Sequence, residues 1–139
     1  LSKSENELKT ALVKDLQKAG WFARRLEDQY GVGLFDMLVG IPFGPTVAIE
    51  AKRVEHQSFG PTLRQKIELD RFVNNSDEVV DAAYVQFRMS WLLGFKEGLM
   101  YLYTAADTAK LSDCVAQLPG EPAAQFFTRF WNECLKIEK

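Results

Sequence analysis

Leu34-Phe35-Asp36-Met37-Leu38-Val39-Gly40-Ile41-Pro42-Phe43-Gly44-Pro45-Thr46-Val47-Ala48-Ile49-Glu50-Ala51-Lys52 consists of two apolar runs around a middle rich in Gly and Pro. That pattern predicts a β-hairpin. With its tip near Phe43, antiparallel partners have residue numbers summing to about 86. Asp36 then faces Glu50, Leu38 faces Ala48, and Met37 faces Ile49. Side chains alternate along a strand. One face therefore carries Phe35, Met37, Val39, Val47, Ile49 and Ala51, a core face, and the other carries Asp36, Glu50 and Lys52. Two carboxylates set directly across a strand pair repel each other. They need a cation between them or a raised pKa on one. A hard divalent cation meets that need with oxygen ligands. A plainer reading stands beside it: Glu50 and Lys52 form an ion pair on a wet strand face, with Asp36 solvated at an edge. Glu-x-Lys also occurs at Glu7-Leu8-Lys9, which reads as helix surface. A slip of one residue in register would move Asp36 to the other face.

Upstream of the hairpin, residues 4–19 read as a helix. Ser4 and Glu7 form a capping box. Leu8, Leu12, Leu16 and Ala19, with Ala11, make the apolar stripe, and Gly20 ends it. Glu5 lies in the first turn, where an acid also complements the helix dipole. Residues 21–27 alternate as a strand, and a loop with Gly31 and Gly33 follows. Downstream, residues 61–75 read as a helix ended by Asn74-Asn75-Ser76. Residues 79–87 and 99–103 read as strands. Residues 105–118 read as a helix with Asp107 near its start, and residues 122–136 as the last helix. The order predicts an α/β fold with a mixed sheet and a crossover helix between the third and fourth strands. No repeat or linker interrupts the chain, so one domain over residues 1–139 is expected.

Composition narrows the function classes. Of 139 residues, 47% are hydrophobic and 26% charged, ordinary for a globular protein. Net charge is −2, so the chain lacks the global basic footprint of many nucleic-acid binders. Any such surface must be local and helped by bound metal. Cys114 and Cys134 lack CxxC spacing and read as reduced thiols, which places the protein in the cytoplasm. No apolar stretch is long enough to span a membrane, and no signal peptide is visible. The chain opens on Leu1 rather than Met, which points to a processed or incomplete N-terminus. There is no phosphate loop of the G-x-x-x-x-G-K-[ST] type, no nucleophile elbow and no zinc spacing.

The order helix–strand–hairpin–helix–strand, with Gly33-Leu34-Phe35-Asp36, then Ile49-Glu50-Ala51-Lys52, then Gln65, resembles the PD-(D/E)XK nuclease superfamily. Its local wording is similar to the virus-type replication–repair nucleases and the archaeal Holliday-junction resolvases. The likeness covers residues 5–88. It departs from the superfamily at Phe35, where Pro is usual, and in the low pI. It implies a restriction-endonuclease-like mixed β-sheet flanked by helices, an αβββαβ core with an extra C-terminal strand and helices. It implies a deoxyribonuclease that hydrolyses phosphodiester bonds in duplex or branched DNA. Mg²⁺ would be held by Asp36, Glu50 and the backbone carbonyl of Ala51, with Mn²⁺ able to substitute. Lys52 would orient the attacking water or stabilise negative charge. Glu5 on the first helix, with Glu7 as the alternative, and Gln65 on the second would complete the site. Some junction resolvases are homodimers, so a homodimer is an expected assembly, and a phage or mobile-element role fits the class.

Arg24, Arg25, Arg53, Arg64 and Lys66 surround this site in sequence and can contact phosphates without reading bases. Taken singly, each reads first as solvated surface. Arg24 and Arg25 point to opposite faces, so at most one faces the site. His56 follows the site strand, and Tyr30 in the glycine loop can stack on a base. Phe126, Phe127, Phe130 and Trp131 lie on one helical stripe and read as core rather than a base-stacking platform, with a dimer contact as the middle option. A non-catalytic nucleic-acid or protein-binding module of the same fold is the alternative to the nuclease. Metal that binds only the folded state must raise stability, which separates the two.

Overall fold

The computed structural model describes residues 3–26, 35–55, 80–89, 98–104 and 115–135. The first helix, α1, spans Glu5–Lys18. Its start is fixed by the expected capping box. Ser4 Oγ accepts from the Glu7 N–H at 3.2 Å, and Glu7 Oε1 accepts from the Ser4 N–H at 3.1 Å. Its end is a Schellman motif: the Trp21 N–H donates to the Leu16 carbonyl and the Gly20 N–H to the Gln17 carbonyl. Gly20 sits at φ 86°, the left-handed geometry that this stop requires.

Six strands follow, hydrogen-bonded in chain order: β1 Phe22–Arg25, β2 Met37–Gly40, β3 Thr46–Val54, β4 Val80–Arg88, β5 Met100–Thr104 and β6 Val115–Ala116. The β3–β4 pair is parallel and the other pairs are antiparallel, so the sheet is mixed. A parallel pair needs a crossover. The helix predicted for it, residues 61–75 with Arg64, Gln65 and Lys66, lies outside the described residues. So do the glycine loop with Tyr30, His56, Asp107 and Cys114.

The hairpin has the predicted register. Met37 pairs with Ile49, Leu38 with Ala48 and Val39 with Val47. Its turn is closed by the Gly44 N–H on the Ile41 carbonyl at 2.8 Å and the Ile41 N–H on the Pro45 carbonyl at 3.1 Å. The turn places fully exposed Phe43 at φ 60°, a conformation that L side chains resist. A Cβ on Gly44 would stand 3.2 Å from Trp131 Nε1, so the turn lies close against the C-terminal segment.

The main core lies on one sheet face. Leu12, Val13 and Leu16 of α1 pack there with Met37, Val39, Val47, Ile49, Val85 and Leu102. The second helix, α2, spans Ala123–Phe130 and continues as a π-helical turn over Trp131–Leu135. Phe126, Phe127 and Phe130 are buried in the same core. Trp21 meets Phe127 edge-on at 6.5 Å. The aromatic stripe is core, as its spacing predicted.

Three expectations change. Phe35 does not join Met37 and Val39; it packs with Ala48 and Ala82 on the opposite sheet face. The cause is local: Asp36 donates its N–H to the Ile49 carbonyl at 3.0 Å, one residue out of step with the ladder, so face alternation fails there. Val115–Ala116 is a strand on β5 rather than the end of a helix over 105–118. The last helix covers Ala123–Phe130 with the π turn after it, instead of one α-helix over 122–136.

Candidate active site

The site follows from a mismatch in strand length. β3 continues to Val54, but its ladder with β2 ends at Met37–Ile49. Beyond that point, among the described residues, no strand pairs with this edge of β3, and buried donors need acceptors. Side-chain carboxylates supply them. Asp36 Oδ2 accepts from the Ala51 N–H at 2.8 Å, and Glu5 Oε1 accepts from the Arg53 N–H at 2.9 Å. Two acids from different elements thus accept from these backbone donors. In a strand, a residue's N–H and C=O leave by the same edge, so the Ala51 carbonyl faces this edge as well.

Lys9 closes the arrangement. Its Nζ lies 2.9 Å from Asp36 Oδ1 and 3.2 Å from Glu5 Oε2. The expectation that Glu7-Leu8-Lys9 is helix surface holds for Glu7 and fails for Lys9, which is 8% exposed. Glu7 is exposed and engaged in the cap. Its hydrogen bonds with Ser4 hold its carboxyl below the usual range. Glu5 is therefore the first-helix acid at the site. A sequence signal for Lys9 existed: it sits four and seven residues before buried Val13 and Leu16, on the same helical stripe.

Glu50 is the buried member, 3% exposed. Its side chain hydrogen-bonds with Asp36, and its carboxyl is pushed up to about 8. Loss of water is the main cause, the Asp36 charge and hydrogen bond come next, and Lys9 acts in the opposite direction. Near neutral pH Glu50 thus keeps its proton and donates to the Asp36 carboxylate. Both remedies for opposed acids are present together, a proton on one and an ammonium beside the other.

Across the parallel ladder Glu50 is level with Tyr84, and Lys52 with Gln86. Tyr84 and Gln86 are buried on this sheet face. Burial holds the Tyr84 phenol above its ordinary range. Tyr103 Oη donates to Gln86 Oε1 at 3.4 Å. No sequence signal pointed to this polar row, because β4 reads as an apolar strand.

The predicted cations separate into groups. Lys52 is exposed, two residues beyond Glu50. Arg53 is half-buried, with its Nε on the Lys3 carbonyl at 3.0 Å and an ion pair to Glu55. Arg25 is committed to α1, bonded to the Asn6 side chain and, at 3.1 Å, to Thr10 Oγ1. Arg24 is exposed on β1. Among the described residues, no helix is long and apolar enough to cross a membrane.

No family model matches the chain, and no curated protein matches it. Solved structures do. One is Hjc, a Holliday junction resolvase from the archaeal hyperthermophile Archaeoglobus fulgidus, with a TM-score of 0.57 at 13% identity. The match covers 86% of this chain and 90% of that one. A bacterial homing endonuclease matches at a TM-score of 0.43 and 11% identity, over 85% of this chain and 77% of that one. The likeness to the resolvase is one of fold: the chain has the restriction-endonuclease-like α/β architecture.

Proposed function

We propose that this chain is a metal-dependent nuclease that hydrolyses phosphodiester bonds in DNA. The observation that supports it best is the Asp36–Glu50 pair at this edge of β3. A carboxyl pair that retains a proton and an ammonium is a place where positive charge is favoured, and a hard dication suits the same oxygens. Among the described residues no three His, Cys, Asp or Glu side chains form a ready metal cluster. The proposed ligands are accordingly Asp36, Glu50 and the Ala51 carbonyl, for Mg²⁺ with Mn²⁺ substituting. Bound there, the ion supplies a water of lowered pKa and a polarised phosphoryl oxygen.

The chain's own residues supply the rest. Asp36 is held in one orientation by the Ala51 N–H and Lys9. Glu50 holds a proton against Asp36. Lys52 offers an exposed ammonium to charge developing on the phosphoryl group. Arg24 and Arg53 are the phosphate contacts favoured by their positions; Arg64 and Lys66 as further phosphate contacts, and Gln65 as a residue completing the site, are expected from the helix predicted over residues 61–75, outside the described residues. The fold shared with a Holliday junction resolvase supports branched or duplex DNA as substrate; one domain over the chain and a homodimer stay expectations from the sequence.

Supercoiled plasmid and a four-way junction, incubated with Mg²⁺ or EDTA, test this. Cutting should require Mg²⁺ and be lost in Asp36→Ala and Glu50→Gln. Cutting in EDTA, or by Asp36→Ala at the wild-type rate, overturns it.

A further inference from the structure

In the hydrolysis proposed above Lys9 serves only to hold Asp36, yet among the described residues it is the cation paired with two of the site's acids. Lysine is seldom buried unless paired, and here it is paired twice, across α1 to Glu5 and across the fold to Asp36. Asp36 gives Oδ2 to the Ala51 N–H, and Lys9 takes Oδ1. Both oxygens of the central acid are thus engaged within the chain.

We infer that Lys9 is a resident counter-cation: its ammonium competes with a divalent ion for Asp36, and an ion enters by displacing it. This rests on the metal reading given above. Three observations carry it. The ammonium lies at hydrogen-bond distance from an oxygen of the acid proposed as a ligand. It is buried, so it is a fixed part of the site and not a passing surface partner. It also has somewhere to go: Glu5, four residues earlier on the same helix, remains its partner when Asp36 is released. Glu5 is itself held by the Arg53 N–H, so the displaced ammonium needs only a short swing. Lys9 acts through Asp36 and is therefore a positioning residue. It keeps the carboxylates in place before metal arrives and lowers the affinity with which metal is taken.

The test is Mn²⁺ binding to the EDTA-stripped full chain without DNA, with free Mn²⁺ read from its electron paramagnetic resonance signal. Wild type is compared with Lys9→Met, Lys9→Gln and Lys9→Arg, each first checked for cooperative unfolding. Removing the charge should tighten binding about tenfold or more, and Lys9→Arg should stay within about threefold of wild type. If Lys9→Met fails to fold, Lys9→Gln reads the same quantity. Equal or weaker binding by the neutral variants overturns the inference and leaves the metal site standing. Lys9→Arg binding as tightly as Lys9→Gln assigns the effect to packing and also overturns it. No Mn²⁺ binding by any of the four proteins overturns both readings.

Discussion

Glu50→Gln tests the charge state of the site without any substrate. In the folded chain the Glu50 carboxyl titrates at about 8 against an ordinary 4.5, chiefly because it is buried. The sign follows from proton uptake. Below pH 4.5 the group is protonated whether the chain is folded or not. Between the two values the unfolded chain releases the proton and the folded chain keeps it, so stability falls as pH rises. Each pH unit in that window costs about 1.4 kcal/mol, and the whole span amounts to a loss on the order of 5 kcal/mol. Above pH 8 the loss is complete. Glutamine is neutral throughout and its Nε2 can donate to Asp36 as the protonated acid does. Unfolding in urea, followed by tryptophan fluorescence in EDTA at pH 5, 6, 7 and 8, should therefore show the two proteins similar at pH 5. The variant should then gain steadily, reaching a few kcal/mol by pH 8. Taking the difference removes the titrating groups that do not interact with Glu50. A difference that stays flat across that range would refute the buried, protonated Glu50.

Two other predictions concern the frame. Phe127→Ala removes a side chain buried to 1% and in edge contact with Trp21 and Phe126, and should cost about 3–5 kcal/mol in urea unfolding. Phe43→Asn replaces a fully exposed residue held at φ 60° with one that tolerates this conformation, and should raise stability by about 1 kcal/mol.

The hairpin was legible because two independent signals agreed, the Gly–Pro middle and the alternation on either side, and together they fixed the register. The start of α1 was legible because a capping box is local. The aromatic stripe of α2 was legible because four large apolar residues at helical spacing must be covered. What failed depended on partners distant in sequence. Alternation placed Phe35 with Met37, but it is valid only while the ladder stays in step, and the ladder slips at Asp36. β6 is two residues long and exists because β5 offers an edge; two residues carry no periodicity. Apolar spacing does not encode the π turn at Trp131–Leu135, whose hydrogen bonds differ but whose stripe is nearly the same. Of the site, Asp36 and Glu50 could be brought together from the hairpin alone. The spacing of Lys9 on the stripe of α1 signalled burial, but its partner Asp36 lies on another element and could not be read from that spacing.

The Ala51 and Arg53 amides donate to the carboxylates of Asp36 and Glu5. Their protons therefore act as built-in reporters. Anything that draws Asp36 away should move the Ala51 resonance in an amide NMR spectrum and speed its exchange with solvent, and Arg53 should do the same for Glu5. The two carboxylates can thus be followed separately, in the resting protein, by signals that need neither a probe nor a turnover.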